Sequence, residues 1–339
     1  MLHDELLNTL ACPGCGAALA VDATETTDLG VKEGTCRCEG CGAEYPVEDY
    51  VFYLCTTGNR EGAAGREWKL ENFERTYERL GAEQSAYEWR AKLGVPRSIT
   101  NYDYPSVKGR LLKWLRPDQG ELLLDVGCGS GYFLRDIARG NEGTQYGSVG
   151  LDVVPLRVRF LAEMKVREAW RDLVCVVGDG EVLPFRDGSF HYICCTEVLE
   201  HIPRPDEAIV EMSRVLRPGG KLCASTPCRV AIQLWAIPRA IYRLVLRKRH
   251  DETVASYDEA MHPWTFRRYL RRAGLTVDVF RTTVFIPPQD VFIGRPDWLA
   301  RAFASVGRSL EKYLYWLLPY CGQHSVTRCA KPHDGQETD

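Results

Sequence analysis

LLLDVGCGSGYF, residues 122–133, decides the fold of this chain. Three leucines, an aspartate and a valine read as a buried strand, and glycines at 127, 129 and 131 follow before the pattern turns helical. Glycine lets the backbone turn sharply and approach a ligand where a side chain would block it. The helix that follows points free N–H groups and the positive end of its dipole at the same place. The spacing Gly127-x-Gly129-x-Gly131 departs from the G-x-G-x-x-G of a dinucleotide loop. No Gly-Lys-Ser/Thr follows, so a nucleoside-triphosphate loop is excluded.

Outward from this stretch, apolar runs and helical patterns alternate. Strands are expected near 121–126, 147–152, 172–178, 190–195 and 219–226, and helices near 130–139, 155–170, 205–216, 231–248 and 264–273. Two further strands, near 275–285 and 324–330, enclose a long amphipathic helix at about 297–317. The alternation reads as α/β, a mostly parallel sheet with helices on both faces. Ligands in such sheets bind at the carboxyl ends of the strands, near the point where strand order reverses.

Carboxylates at three expected strand ends narrow the ligand. Asp125 precedes the first glycine by two residues and suits a cationic or hydroxyl-rich ligand better than a pyrophosphate. Asp152, 21 residues after Gly131, stands where an acid accepts hydrogen bonds from both hydroxyls of a ribose. Asp179 stands where a carboxylate holds an exocyclic adenine amine. A glycine bed with these three acids describes S-adenosylmethionine. The expected cofactor set is Asp125, Gly127, Cys128, Gly129, Gly131, Asp152, Val153, Asp179, Gly180 and Thr196.

Here the sequence resembles the class I S-adenosylmethionine-dependent methyltransferases, of the broad type that includes ubiquinone-pathway O-methyltransferases. LLLDVGCGSG is similar to the family's first motif, LDVVP to its second-strand acid, and GDGEVLPFRDGSF to its third-strand signature. TEVLEHIPRPDEAIVEMSRVLRPGGKLCASTP resembles the fourth and fifth strands with their intervening helix. The match is close over about residues 108–228 and loose elsewhere. His191 departs from it, since the family has an acid after Ser-Phe. The resemblance implies a Rossmann-like sheet of seven strands, one of them antiparallel.

Cys12 and Cys15, then Cys38 and Cys41, form two C-x2-C knuckles separated by 22 residues. Four thiolates so spaced present a closed tetrahedral shell to zinc, which makes the expected ion structural. CPGCGAAL and CGAEYPVEDYVFYL also resemble the small zinc ribbons that activate several RNA and protein methyltransferases. In those proteins the ribbon masks apolar surface on its partner. The expected organisation is a ribbon over 1–57, a helical linker and cap over 58–107, and a methyltransferase domain over 108–331. Insertions are expected at about 229–262 and 287–322, and a disordered tail over 332–339. Trp68, Phe73, Tyr77 and Leu80 recur at helical spacing in the linker.

The acceptor is less sharply written. Methyl transfer from a sulfonium is an in-line displacement, and a hydroxyl acceptor also needs its proton removed by a base or a metal. The end of the fourth strand carries neither Asn-Pro-Pro-Tyr nor Pro-Cys, which argues against nucleobase amine and cytosine C5 methylation. Glu197, Glu200 and His201 form E-x-x-E-H, and His262 follows later. Certain O-methyltransferases similar here, among them enzymes of small-RNA termini, hold a divalent ion with such residues. Glu197, His201 and His262 are the candidate catalytic groups, and the four together a candidate second metal site. The apolar and basic insertions suit a roomy pocket for an apolar or carrier-linked small molecule, with peripheral membrane contact through the basic segment as a further expectation.

The whole-chain numbers agree. A chain of 339 residues with 45% hydrophobic content buries a sizeable core. Its net charge of -3 and the lack of a long basic stripe argue against a nucleic-acid partner. Methylation of RNA, or of a peptide or protein, is the alternative to a small-molecule acceptor. No secretory leader or apolar run of 18 residues is seen, and several of the 14 cysteines lie inside strand-like runs. A reducing cytoplasm is the expected compartment.

Overall fold

The computed structural model describes residues 2–55, 94–236, 260–287, 289–313, 315–316 and 319–333. The expected linker helix around Trp68–Leu80, most of the first insertion and most of the tail lie outside the described residues.

Seven strands build the expected sheet: β5 (Leu122–Val126), β6 (Gly147–Asp152), β7 (Leu173–Val177), β8 (Phe190–Thr196), β9 (Leu216–Pro227), β10 (Thr276–Thr283) and β11 (His324–Ala330). Their order is β7-β6-β5-β8-β9-β11-β10. β11 runs antiparallel between β9 and β10, and the other pairings are parallel. Every residue of β5, β6 and β7 is buried, as a parallel strand covered on both faces requires. Helices α3 (Tyr132–Gly140), α4 (Pro155–Arg167) and α5 (Pro205–Val215) make the crossovers, the last two opening on a proline whose missing N–H costs nothing at a first turn. Strand order reverses between β5 and β8, so their carboxyl ends open the crevice where ligands of such sheets bind.

The sheet does not stop at seven. β1 (Leu19–Thr27), β2 (Gly30–Cys38), β3 (Glu44–Glu48) and β4 (Val51–Tyr53) form an antiparallel meander, and β4 pairs in parallel with β7 through Val51 and Cys175, Phe52 and Val176, Tyr53 and Val177. The result is one eleven-stranded sheet. β7, apolar throughout, would otherwise present an unpaired backbone edge, a template for aggregation. The opening helix α1 (Leu2–Asn8) adds Leu6, which is fully buried with Leu10, Phe52 and Leu54 in the same apolar cluster as Leu122, Val149 and Phe185. Each such side chain contributes about 1.5–3 kcal/mol relative to exposure. The cysteine-rich region therefore shares its core with the α/β domain.

A helix α2 (Arg97–Trp114) crosses the expected boundary at 107/108 and carries Pro105 within it. It lies against α7 (Asp297–Tyr313), and α6 (Pro263–Arg272) precedes β10. Among the described residues no helix is long and apolar enough to cross a membrane. None of the fourteen cysteines, all of them among the described residues, is in a disulfide.

Candidate functional site

The glycine loop is stitched to the strand beside it. The Gly127 and Cys128 N–H groups both donate to the Leu151 carbonyl, at 2.7 and 3.0 Å. Gly127, Gly129 and Gly131 have φ of 74°, 56° and 79°, the left-handed region that glycine alone enters cheaply. Asp152 is 6% exposed, and its carboxylate accepts from the Gly129 N–H at 2.8 Å and the Val154 N–H at 3.0 Å. It thus ties the end of β6 to the loop. Val153 beside it is 37% exposed, an apolar face at the rim. The Asp179 carboxylate accepts from the Glu181 N–H at 2.9 Å, and the Gly178 N–H bonds the Asp152 carbonyl at 3.1 Å.

Asp125 lies on β5 and is 2% exposed. Burial raises its carboxyl to about 7, against the pull of a Cys194 S–H bond at 3.0 Å and the Lys108 charge. A cationic ligand would restore its charge. The Thr196 hydroxyl at the end of β8 is buried with no hydrogen-bond partner among the described residues. A glycine bed, a buried acid and an unsatisfied hydroxyl at adjoining strand ends fit the expected cofactor. Sequence reading missed Arg157: a Cβ on Gly129 would stand 2.4 Å from its guanidinium, which lies over the loop.

The other side of the crevice centres on a residue that sequence reading passed over. His324 opens β11, is 3% exposed, and sits between two carboxylates. Its Nδ1 is 2.8 Å from Glu197 Oε2 and its Nε2 is 3.3 Å from Asp103 Oδ1. Burial alone would favour a neutral ring, but the two carboxylates outweigh it and hold the imidazole well above its ordinary value. Burial likewise opposes the Glu197 charge, and the His324 cation overcomes it, so that carboxyl is held low. Ser225 Oγ donates to Glu197 Oε1 at 2.7 Å, and the Gln289 side-chain amide donates to Asp103 Oδ2 at 2.6 Å. Glu197 has φ of 56°, a left-handed conformation that costs a side-chain-bearing residue about 1–3 kcal/mol and clusters at functional sites. Its side chain is 24% exposed, so it is the open end of this buried chain.

The E-x-x-E-H residues divide. Glu197 joins His324. Glu200 Oε2 accepts from Thr226 Oγ1 at 3.2 Å, and burial aided by the Glu197 charge pushes its carboxyl well above the usual range. His201 is 40% exposed and 3.9 Å from Glu200. His262 stacks on Trp264 with ring centroids 4.5 Å apart. Among the described residues, the only group of metal-ligating atoms drawn together is Cys12, Cys15, Cys38 and Cys41. Glu197, Glu200, His201 and His262 are not gathered in this way.

Residues 124–224 match the methyltransferase domain family. The chain carries a class I S-adenosylmethionine-dependent methyltransferase domain. The ubiquinone biosynthesis O-methyltransferase of Cupriavidus pinatubonensis is 28% identical over 179 residues, 51% of this chain and 67% of that one. The demethylmenaquinone methyltransferase of Renibacterium salmoninarum is 38% identical over 118 residues, 34% of this chain and 47% of that one. A crystal structure of a SAM-dependent methyltransferase from Aquifex aeolicus aligns with a TM-score of 0.45 at 14% identity, covering 73% of this chain and 100% of that one.

His191 on β8, the departure from the family pattern, accepts the Leu122 N–H at 3.1 Å and contacts Arg217, a brace between β5 and β8 of the methyltransferase sheet. At the other end of the sheet the four cysteine ligand atoms lie within 4.8 Å of one another. The Gly40 and Cys41 N–H groups donate to Cys38 Sγ at 3.4 and 3.3 Å, and the Cys41 bond leads in holding that thiol down to about 6. Four converging sulfurs, with N–H groups aimed at Cys38 Sγ, fit a tetrahedral zinc shell. The Tyr45 hydroxyl, 3.2 Å from Cys12 Sγ, adds an outer contact, and Cys36 stays buried outside the cluster.

Proposed function

We propose that the protein methylates a hydroxyl of a small-molecule acceptor, with Glu197 taking the proton and His324 and Asp103 positioning it. One observation carries this reading. A Cβ on Gly127 would stand 2.3 Å from Val198 Cγ2, so the loop bearing Glu197 abuts the cofactor loop. On this reading the partly open carboxylate of the buried chain would stand beside the cofactor bed. S-adenosylmethionine bound by Asp125, Gly127–Gly131, Asp152, Val153, Asp179, Gly180 and Thr196 would supply an electrophilic methyl group.

A carboxylate held low is a weak base toward a free alcohol. It suffices here, because a hydroxyl oxygen becomes strongly acidic as it gains its bond to carbon, and a placed acceptor then contributes about 10²–10⁴-fold. The His324 cation fixes Glu197 through Oε2, and Ser225 fixes it through Oε1. Cys12, Cys15, Cys38 and Cys41 would hold a structural zinc, bracing the sheet and taking no part in the chemistry. Of the relatives named above, the ubiquinone biosynthesis O-methyltransferase supports an oxygen acceptor on a quinone-pathway type of molecule. With catechol as acceptor, Glu197→Gln should lower kcat by about 10²–10⁴-fold and leave cofactor affinity unchanged. Unchanged kcat would remove Glu197 from the chemistry.

A further inference from the structure

Helix α6 buries Phe266 and Leu270 and turns the opposite stripe outward, where Trp264, Arg267, Arg268, Arg271 and Arg272 recur at helical spacing. With Tyr320 these side chains line a shallow concavity of about 580 Å³ that is open to solvent. No carboxylate among the described residues lines it. Among the described residues, none of the four guanidiniums has an ion-pair partner. Arg267 lies over the Phe280 ring at 5.2 Å and Arg268 over Tyr269 at 5.8 Å, so ring contacts orient the cations without neutralising them.

Like charges at i, i+3 and i, i+4 spacing repel one another and destabilise a helix. The helix dipole repays this for Arg271 and Arg272 in the last turn, but its effect fades before Arg267 and Arg268. In a chain of net charge -3, an anion seated among these cations would relieve their mutual repulsion. The concavity also begins beside the reaction crevice. Trp264 stacks on His262, and the adjoining Met261 N–H bonds the Pro227 carbonyl at 3.1 Å. Pro227 is the register partner of His324.

We infer that the α6 concavity is a subsite for a diphosphate ester carried by the acceptor. Four guanidiniums match the two to three charges of a diphosphate through paired N–H bonds. Trp264 and Tyr320, 56% and 37% exposed, offer flat apolar contact to whatever the diphosphate carries, a nucleoside or an isoprenoid chain. The subsite names the acceptor class for the reaction proposed above and rests on that reading for its purpose, but its binding is measured without turnover.

The test is calorimetric titration of the full chain with inorganic pyrophosphate, uridine diphosphate and geranyl diphosphate, at two salt concentrations. The expected result is salt-sensitive binding of all three, tighter for whichever ester the aromatic pair contacts. The double variant Arg268→Glu/Arg271→Glu should weaken them by about tenfold or more, Arg268→Lys/Arg271→Lys by less, and neither should change S-adenosylmethionine affinity. Tighter uridine diphosphate marks a nucleotide-linked acceptor and tighter geranyl diphosphate a lipid-linked one. Equal affinities for wild type and the charge-reversed variant would overturn the subsite, as would binding of bulk RNA in preference to all three probes. Glu197→Gln should leave diphosphate binding intact, so loss of the base reading and loss of the subsite give different results.

Discussion

From β5 the sheet grows in two directions, and the two flanks are built by different rules. Toward β6, β7 and β4 the site is assembled from short contiguous motifs, each a strand followed by its own loop, with Gly127, Asp152 and Asp179 at successive strand ends. Toward β8, β9 and β11 it is assembled from residues far apart in the chain, Asp103, Glu197 and His324, that meet only after the sheet forms. On the proposed reading, the first flank holds the cofactor on its glycine loop. The second tunes charge in a buried place. A fixed cofactor needs only local geometry, whereas a varying acceptor is met by side chains that the fold brings together.

The largest test of this division concerns the edge of the cofactor flank. Stripping zinc with a chelator, or Cys38→Ser, should unfold the meander and bare β7, costing several kcal/mol of folding stability. Thermal unfolding followed by circular dichroism would show a lowered Tm and aggregation. An unchanged Tm would mean that the meander stands without metal. Next in size, Gly127→Ala puts a Cβ against Val198 at a left-handed φ, and should weaken S-adenosylmethionine binding by about tenfold or more. Equilibrium dialysis would read it, and wild-type affinity would show that the loop is not the cofactor bed.

Smaller effects are set by pH. The Asp125 carboxyl, raised to about 7 from 3.8, keeps a proton in the folded state that the unfolded chain has shed, so its share of stability falls as pH rises through that window. A cation bound beside it releases this proton. Cofactor affinity should therefore rise with pH up to about 7 and then level, and Asp125→Asn should flatten the curve. The acceptor flank responds with the opposite group. His324 contributes its stability in full below its ordinary 6.5 and loses it as pH rises through the raised folded value, while Glu197 loses its share as pH falls through its lowered one. His324→Gln should thus reduce the decline of Tm toward alkaline pH, read by differential scanning fluorimetry.

The same contrast explains what was legible in the sequence. The seven strands, their order of appearance and the cysteine knuckles are local patterns, and they lie where expected. His324 was hidden because it begins an alternating run, HSVTRCA, that reads as an ordinary strand, and nothing nearby announces Asp103 or Glu197. Asp103 sits just before Pro105, a residue that suggests a turn, yet the helix continues through it. The β4 and β7 pairing also left no local trace, since parallel partners so distant share only burial. E-x-x-E-H was visible as a motif, but only the left-handed φ at Glu197 and the register of β11 decide which of its members meet.

The separation of the two flanks is tested most directly by calorimetric titration of S-adenosylmethionine into Asp152→Asn and Glu197→Gln. Asparagine at 152 must turn an amide donor toward the Gly129 or Val154 N–H that the carboxylate now accepts, opening the loop. The account predicts that Asp152→Asn weakens binding by at least about tenfold, while Glu197→Gln binds as wild type does. Equal losses in both variants would contradict it, because cofactor and acceptor groups would then form a single site.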